Sequence, residues 1–208
     1  MGGCDESEQS REAWNKGKLV GQKPPLRPKD VWAIRIHLQN AHAVSDLALF
    51  NLAIDSKLRG CDLVNLRVRD VTSGNQVLPR AQVIQRKTQR PVQSELTEST
   101  RKAVGAWLEK AALRSEQYLF PSRLLASPHL STRQYARMIR RWAGAAGLDP
   151  TAYGTHSMRR TKATLIYKRM KNLRAVQLLL GHSKIESTIR YLDIEVDDAL
   201  EISEQTEI

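Results

Sequence analysis

The stretch from Asp46 to Ile54 is apolar nearly all round, so a helix formed there has no face to give to water and must lie at the centre of a core. The rest of the chain then has to be arranged around it. Ser45 is the expected N-cap of this central helix. A helix starting at Pro28, where proline suits the first turn, presents Val31, Ile34 and Leu38 at i, i+3 and i+7 as one covering face. Thr97 is the expected cap of another, whose stripe is Val104, Trp107, Leu108 and Ala111. Between Val68 and Leu96 the periodicity changes. Val77, Val83, Ile84, Val92 and Leu96 lie among Gly74-Asn75, Pro79 and Pro91, which predicts a small antiparallel sheet with tight turns, one of them Lys87-Thr-Gln-Arg90. The fold class expected is mainly α with a small antiparallel β-sheet, α+β.

With 208 residues, the chain has material for one well-buried domain plus an arm. No apolar run approaches the roughly 18 residues that would span a bilayer, and the first thirty residues lack the apolar core of a secretory signal. A soluble, cytoplasmic protein with no membrane partner is expected. Cys4 and Cys61 stand in unlike contexts with no metal-ligand spacing, so free thiols and no metal site are expected. Residues 1–27 are polar and close on Pro24-Pro25, which reads as a flexible arm or linker; 28–192 form the domain; 193–208 form a tail. Charge divides the same way. Residues 28–192 hold 28 Lys and Arg against 11 Asp and Glu, whereas the tail has seven acids and neither Lys nor Arg. A basic body of this kind fits a polyanionic partner. Within the tail, Val196, Ala199, Leu200 and Ile202 lie among the acids of Glu195 to Glu204, giving an amphipathic helix pattern able to pack on a neighbouring subunit.

The segment from Ser131 to Ala143 carries two opposed helical faces. Tyr135, Met138, Ile139 and Trp142 make a docking stripe, and Arg133, Arg137, Arg140 and Arg141 fill the other side. No acid on the helix relieves the repulsion among these arginines, so contact with phosphate or base edges is the sharper reading against a merely solvated face.

Three further segments are rich in chemistry. One is Gly154-Thr-His-Ser-Met-Arg-Arg-Thr-Lys-Ala-Thr164; another runs from Leu178-Leu-Leu-Gly-His-Ser-Lys to Ile189-Arg-Tyr191; the third is Ser56-Lys-Leu-Arg-Gly-Cys-Asp-Leu-Val-Asn-Leu66. Taken singly, each has an ordinary explanation. Tyr191 could be a helix-end aromatic, His182 a residue beyond the cap of a helix Leu173 to Leu180, Arg59 a partner of Asp62, and Lys87 a solvated turn lysine. In combination they resemble the tyrosine recombinase, or phage integrase, family: its first-arginine box, its His-x-x-Arg box, and its Leu-Gly-His followed nine residues after the His by a nucleophilic Tyr. Lys87 falls in a predicted turn where that family places a catalytic lysine. The resemblance implies a catalytic set of Arg59, Lys87, His156, Arg159, His182 and Tyr191, with Asp62 orienting Arg59 or His156, and a site-specific recombinase acting on double-stranded DNA.

The chemistry implied explains the residue types. Attack on a phosphodiester builds charge on the non-bridging oxygens, and planar, permanently charged guanidiniums suit those oxygens. A phenol must lose its proton as it attacks, which histidine can share; His156 is read as the base, and His182 as a phosphate donor. Neither cofactor nor metal is implied. A tetramer on DNA, a monomer when free, and an accessory DNA-binding protein are the partners expected. Two departures stand out. Arg160 replaces a histidine common in the family and is read with the DNA-contacting arginines. The helical core-binding domain of full-length integrases has no room in 27 polar residues, so the chain is a bare catalytic domain, relies on another protein, or is a fragment. The alternatives are a non-catalytic DNA-binding protein of this fold, a topoisomerase-like enzyme, and a metal-dependent nuclease, which would bring a carboxylate or His cluster.

Overall fold

Helix α2 (Val44–Ser56) occupies the centre that its composition demands: in a computed structural model describing residues 22–74, 76–122 and 127–192, Ala48, Leu49, Phe50 and Leu52 have no exposed surface. Its N-cap is Ala43 and not Ser45, because the Ala43 carbonyl already accepts the Leu47 N–H at 2.9 Å and draws Val44 into the first turn. Helix α1 (Pro28–Asn40) lays Val31, Ile34 and Leu38 on α2 as its spacing requires. The short α3 (Gly60–Val64) follows a left-handed Lys57, and a 3₁₀ turn covers Val68–Asp70.

The β region is two ladders, not one small sheet. Strand β1 (Thr72–Ser73) pairs with β2 (Gln76–Val77), and β3 (Arg80–Ile84) pairs with β4 (Pro91–Glu95) in the register Val83 to Val92. Pro79, which has no N–H to donate, stands between them and ends the first ladder. Helix α4 (Glu98–Ala111) then packs on α2, with Thr97 at its N-cap as expected.

Helices α5 (Thr132–Ala145) and α6 (Thr155–Met170) close the main core. Tyr135, Ile139 and Trp142 of α5 are buried, and Trp142 meets Phe50 edge-on at 5.6 Å between ring centroids. Ser131 caps α5 by accepting the Gln134 N–H at 3.1 Å. A second, smaller core joins α6 to α7 (Leu173–Leu180) and α8 (Ile185–Leu192) through Ala163, Tyr167, Val176, Leu180 and Leu192.

The last residues before α1, read from the sequence as the end of an arm, lie extended against the domain. Leu26 is buried and its N–H donates to Thr161 Oγ1 at 3.0 Å, while the Lys23 carbonyl accepts from Arg160. The proposed tail helix from Glu195 to Glu204 and Cys4 lie outside the described residues. Among the described residues no helix is long and apolar enough to cross a membrane, and Cys61 is a free thiol.

Candidate active site

Two arginines far apart in sequence are tied to one carbonyl, Arg159 directly and Arg59 through Gln85. Arg59 stands at the N-terminus of α3, where Gly60 lets the chain run against α6: a Cβ there would lie 3.1 Å from Thr155 Cβ. Arg159 projects from the second turn of α6 and is 2% exposed. Arg159 Nη2 donates to the Leu180 carbonyl, at the free C-terminal end of α7, at 2.6 Å. That carbonyl also accepts from Gln85 Nε2 at 3.2 Å, and Gln85 Oε1 accepts from Arg59 Nη1. Arg159 Nε and Nη1 are buried with no hydrogen-bond partner, and no carboxylate pairs with either arginine among the described residues. A buried cation left without an anion is costly. Burial holds the Arg159 guanidinium down at about 10.

Around these cations sits Tyr191. Its ring lies 5.7 Å from the Arg159 guanidinium carbon and 5.6 Å from that of Arg160, with His182 edge-on at 5.3 Å and His156 at 6.4 Å between centroids. The hydroxyl is 3.5 Å from the His156 carbonyl, at the limit of a hydrogen bond. Burial pushes the phenol up to about 12 even though Arg159, Arg160 and Arg59 pull the other way, so ionising it would require another group to take its proton. The histidines are neutral for the same reasons. Burial first, then Arg159 and Arg59, brings His182 to about 4; burial, Arg159, Arg160 and Arg59 lower His156 as well. His182 Nδ1 is 3.1 Å from the Thr188 hydroxyl, which fixes the ring. Its backbone is pinned by Gln177, whose amide donates to the His182 carbonyl at 3.1 Å. Beside the phenol opens a cleft of about 430 Å³ lined by His156, Arg160, Arg190, Tyr191 and the extended Gln22 and Lys23.

Residues 25–197 of this chain match the family described as "Phage integrase family". The chain belongs to that family. It is 30% identical over 152 residues to the probable integrase/recombinase YoeC of Bacillus subtilis, covering 73% of this chain and 79% of that protein. It is 28% identical over 154 residues to the tyrosine recombinase XerC of Caldanaerobacter subterraneus, covering 72% of this chain but only 41% of that one. The crystal structure of XerA recombinase superposes with a TM-score of 0.72 at 22% identity, over 89% of this chain and 66% of that one. XerH bound to its difH substrate does so at 0.69 and 16% identity, over 88% and 55%. The fold is therefore that of tyrosine recombinase catalytic domains.

Within this integrase fold, five of the six residues picked out by the sequence (Arg59, His156, Arg159, His182 and Tyr191) form one cluster. Lys87 lies exposed in the turn between β3 and β4 and makes no hydrogen bond or ion pair with the described residues. Asp62 does not orient Arg59 or His156. Its Oδ1 accepts the Arg86 N–H at 3.0 Å, so it tethers the turn that carries Lys87, and its Oδ2 is buried without a partner. Arg160 is not on a free DNA-facing surface: it is 3% exposed, donates to the Lys23 carbonyl at 3.1 Å and lies over Tyr191. Arg133, Arg137, Arg140 and Arg141 are exposed along α5. Arg141, though, is relieved by an acid from another helix, Asp46 of α2, at 2.5 Å. Among the described residues no group of three His, Cys, Asp or Glu is placed to hold a metal.

Sequence reading missed the layer beneath this integrase site. Lys57, fully buried, donates to Glu95 at 3.0 Å and to the Asp55 carbonyl at 2.7 Å. Lys162, one turn beyond Arg159 on α6, pairs with Asp55 at 2.8 Å and with Glu95 at 2.7 Å. Asp55 Oδ2 also accepts from Thr97 and Thr100 hydroxyls at 2.7 and 2.6 Å, so the Thr97 side chain serves this frame and does not cap α4. Burial works against both carboxylates, but hydrogen bonds, Lys162's foremost, outweigh it and hold Asp55 and Glu95 below the usual carboxylate range. Burial, with Lys162 adding to it, pulls Lys57 below the ordinary lysine range against the opposing pull of Glu95 and Asp55. The frame joins the ends of α2 and β4 to the start of α4 and the middle of α6. Its only sequence signals are a lysine two residues before Arg59 and another three after Arg159.

Proposed function

We propose that this domain cleaves and rejoins double-stranded DNA as a site-specific tyrosine recombinase, through a covalent 3′-phosphotyrosine. The observation that carries the reading is the unbalanced charge at Arg159: a buried guanidinium with two unpartnered nitrogens, beside a phenol and two neutral histidines. A phosphodiester supplies the anion that such a site lacks.

In the reaction the Tyr191 oxygen attacks the scissile phosphorus and its proton passes to His156. Arg59 and Arg159 take the charge that builds on the non-bridging oxygens, and His182 donates a hydrogen bond to them. The P–O5′ bond breaks, and the departing 5′ oxygen takes a proton from Lys87, which the mobile end of a lysine side chain can bring from the β3–β4 turn. The ester keeps the bond energy, so the reverse attack by a 5′ hydroxyl rejoins strands without ATP, and the guanidiniums take the electrostatic part that a metal plays elsewhere. Arg133, Arg137 and Arg140 are proposed to track the DNA backbone. On DNA the enzyme works as a tetramer built from two pairs, with an accessory protein aiding the grip, in a bacterial cytoplasm.

The test is incubation with nicked suicide duplexes drawn from DNA flanking the gene, with a chelator present, followed by denaturing electrophoresis. A DNA-linked protein band is expected, lost in Tyr191→Phe with DNA binding kept. Binding without any band would support the non-catalytic reading instead.

A further inference from the structure

We infer that Gln85 is a positioning residue of the reaction, holding the two arginines of the site in fixed relation; this rests on the function proposed above. Gln85 follows the last residue of β3 and has no exposed surface. A fully buried amide needs partners for both ends, and these partners are all in the site. Its oxygen accepts from Arg59 Nη1 and from Thr88 Oγ1, the latter at 3.0 Å. Its nitrogen donates to the Leu180 carbonyl, the same oxygen that receives Arg159 Nη2. One side chain therefore bridges three pieces: Arg59 before α3, the turn that carries Lys87, and the end of α7 that holds Arg159.

The backbone around it leaves no slack. Gly181 turns left-handed at φ 64°, and a Cβ there would lie 2.5 Å from Val92 Cγ2 and 3.2 Å from both terminal atoms of Gln85. The α7 end thus rests directly on the amide and on β4. The Gln85 N–H and carbonyl edges of the turn are closed too, since its N–H donates to the Arg90 carbonyl at 2.9 Å and its carbonyl accepts the Gln89 N–H at 2.8 Å. A guanidinium free to rotate could not present a fixed fork to a phosphate. Because Gln85 occupies one Arg59 nitrogen, the remaining N–H groups have a set direction. It touches no reacting atom in this scheme; it acts through Arg59 and through Leu180.

The experiment uses the full chain and a suicide duplex under single-turnover conditions, with DNA affinity and thermal melting measured on the same preparations. Gln85→Leu keeps the volume and removes every hydrogen bond of the amide. The result expected is a fall of roughly ten- to a hundredfold in the cleavage rate of the bound complex, with DNA affinity unchanged to within about twofold. Should Gln85→Leu fail to fold, Gln85→Glu decides. It keeps the shape and the acceptor for Arg59 but gives up the donor to Leu180 and sets a carboxylate against that cation in competition with phosphate, and is expected to slow cleavage by at least about tenfold with DNA affinity within about twofold of wild type. Cleavage by either folded variant within about twofold of wild type overturns the inference, as does a rate loss matched by an equal loss of DNA affinity. Absence of any covalent product from wild-type protein, in contrast, strikes the proposed function and not the role of Gln85.

Discussion

Two groups of charges, largely buried, share neighbouring segments of this domain, and they are built on opposite rules. In the frame, Lys57 and Lys162 face Asp55 and Glu95, cation matched to anion, with Thr97 and Thr100 filling the remaining lone pairs. In the site, Arg159 and Arg160 lie over Tyr191 with Arg59 tied in through Gln85, no carboxylate among the described residues pairs with any of the three, and Arg159 and Arg160 keep unpartnered nitrogens. Balanced charges of this kind fix geometry; unbalanced ones hold free energy in reserve for an anion. The frame ties down the segments on which the site is mounted.

The contrast breaks if removing a charge has the same consequence in both places. Arg159→Met is expected to slow cleavage by about a hundred- to a thousandfold while leaving thermal melting unchanged or raised, since the Leu180 carbonyl retains Gln85 and a lone cation is gone. Single-turnover kinetics beside calorimetry on one preparation checks this. Lys57→Met should do the reverse to the fold, costing about 1–3 kcal/mol by leaving the Asp55 carbonyl without its donor, while Glu95 keeps Lys162. Urea titration measures it, and an equal cost for both variants would erase the distinction.

Much of this architecture was readable from residue spacing. The all-apolar run through Leu49 and Phe50 dictated a central helix, and the Tyr135, Ile139, Trp142 stripe dictated which side of α5 is buried. These patterns record burial, which one element imposes on itself through its period. The pairing of Lys162 with Asp55, the pairing of Arg141 with Asp46, and the turn of Asp62 toward Arg86 each join elements distant along the chain. Periodicity holds no record of such pairings, so Arg141 read as one of four free arginines and Asp62 as a partner of Arg59. The site residues were recognisable because their types and order match a family; Gln85 and Lys57 bear no such mark. Arg160 was misplaced because the alternation of α6 surfaces gives no cue that the Lys23 carbonyl covers it.

Acid sharpens the comparison. Folded His182 and His156 sit below 6.5, so between pH 6.5 and about 4 the unfolded chain binds more protons than the folded one, and stability falls as pH drops through that window. Asp55 and Glu95, also lowered, surrender their contribution later in the descent, as pH falls from the ordinary carboxylate values of 3.8 and 4.5 through their lower folded ones. Melting followed against pH should show the earlier loss shrink in His182→Gln and the later one persist. The smallest effect belongs to the surface. Each of Arg133→Ala, Arg137→Ala and Arg140→Ala should reduce the slope of log affinity against log salt by about 0.9, whereas Arg141→Ala, whose guanidinium is already held by Asp46, should reduce it less.

The most direct test of a cationic site assembled around one phenol is to digest the trapped protein–DNA adduct and locate the linkage by mass spectrometry. The account predicts a single phosphodiester joining the Tyr191 oxygen to a DNA 3′ end. An adduct on any other side chain, or one joined to a 5′ end, would contradict it.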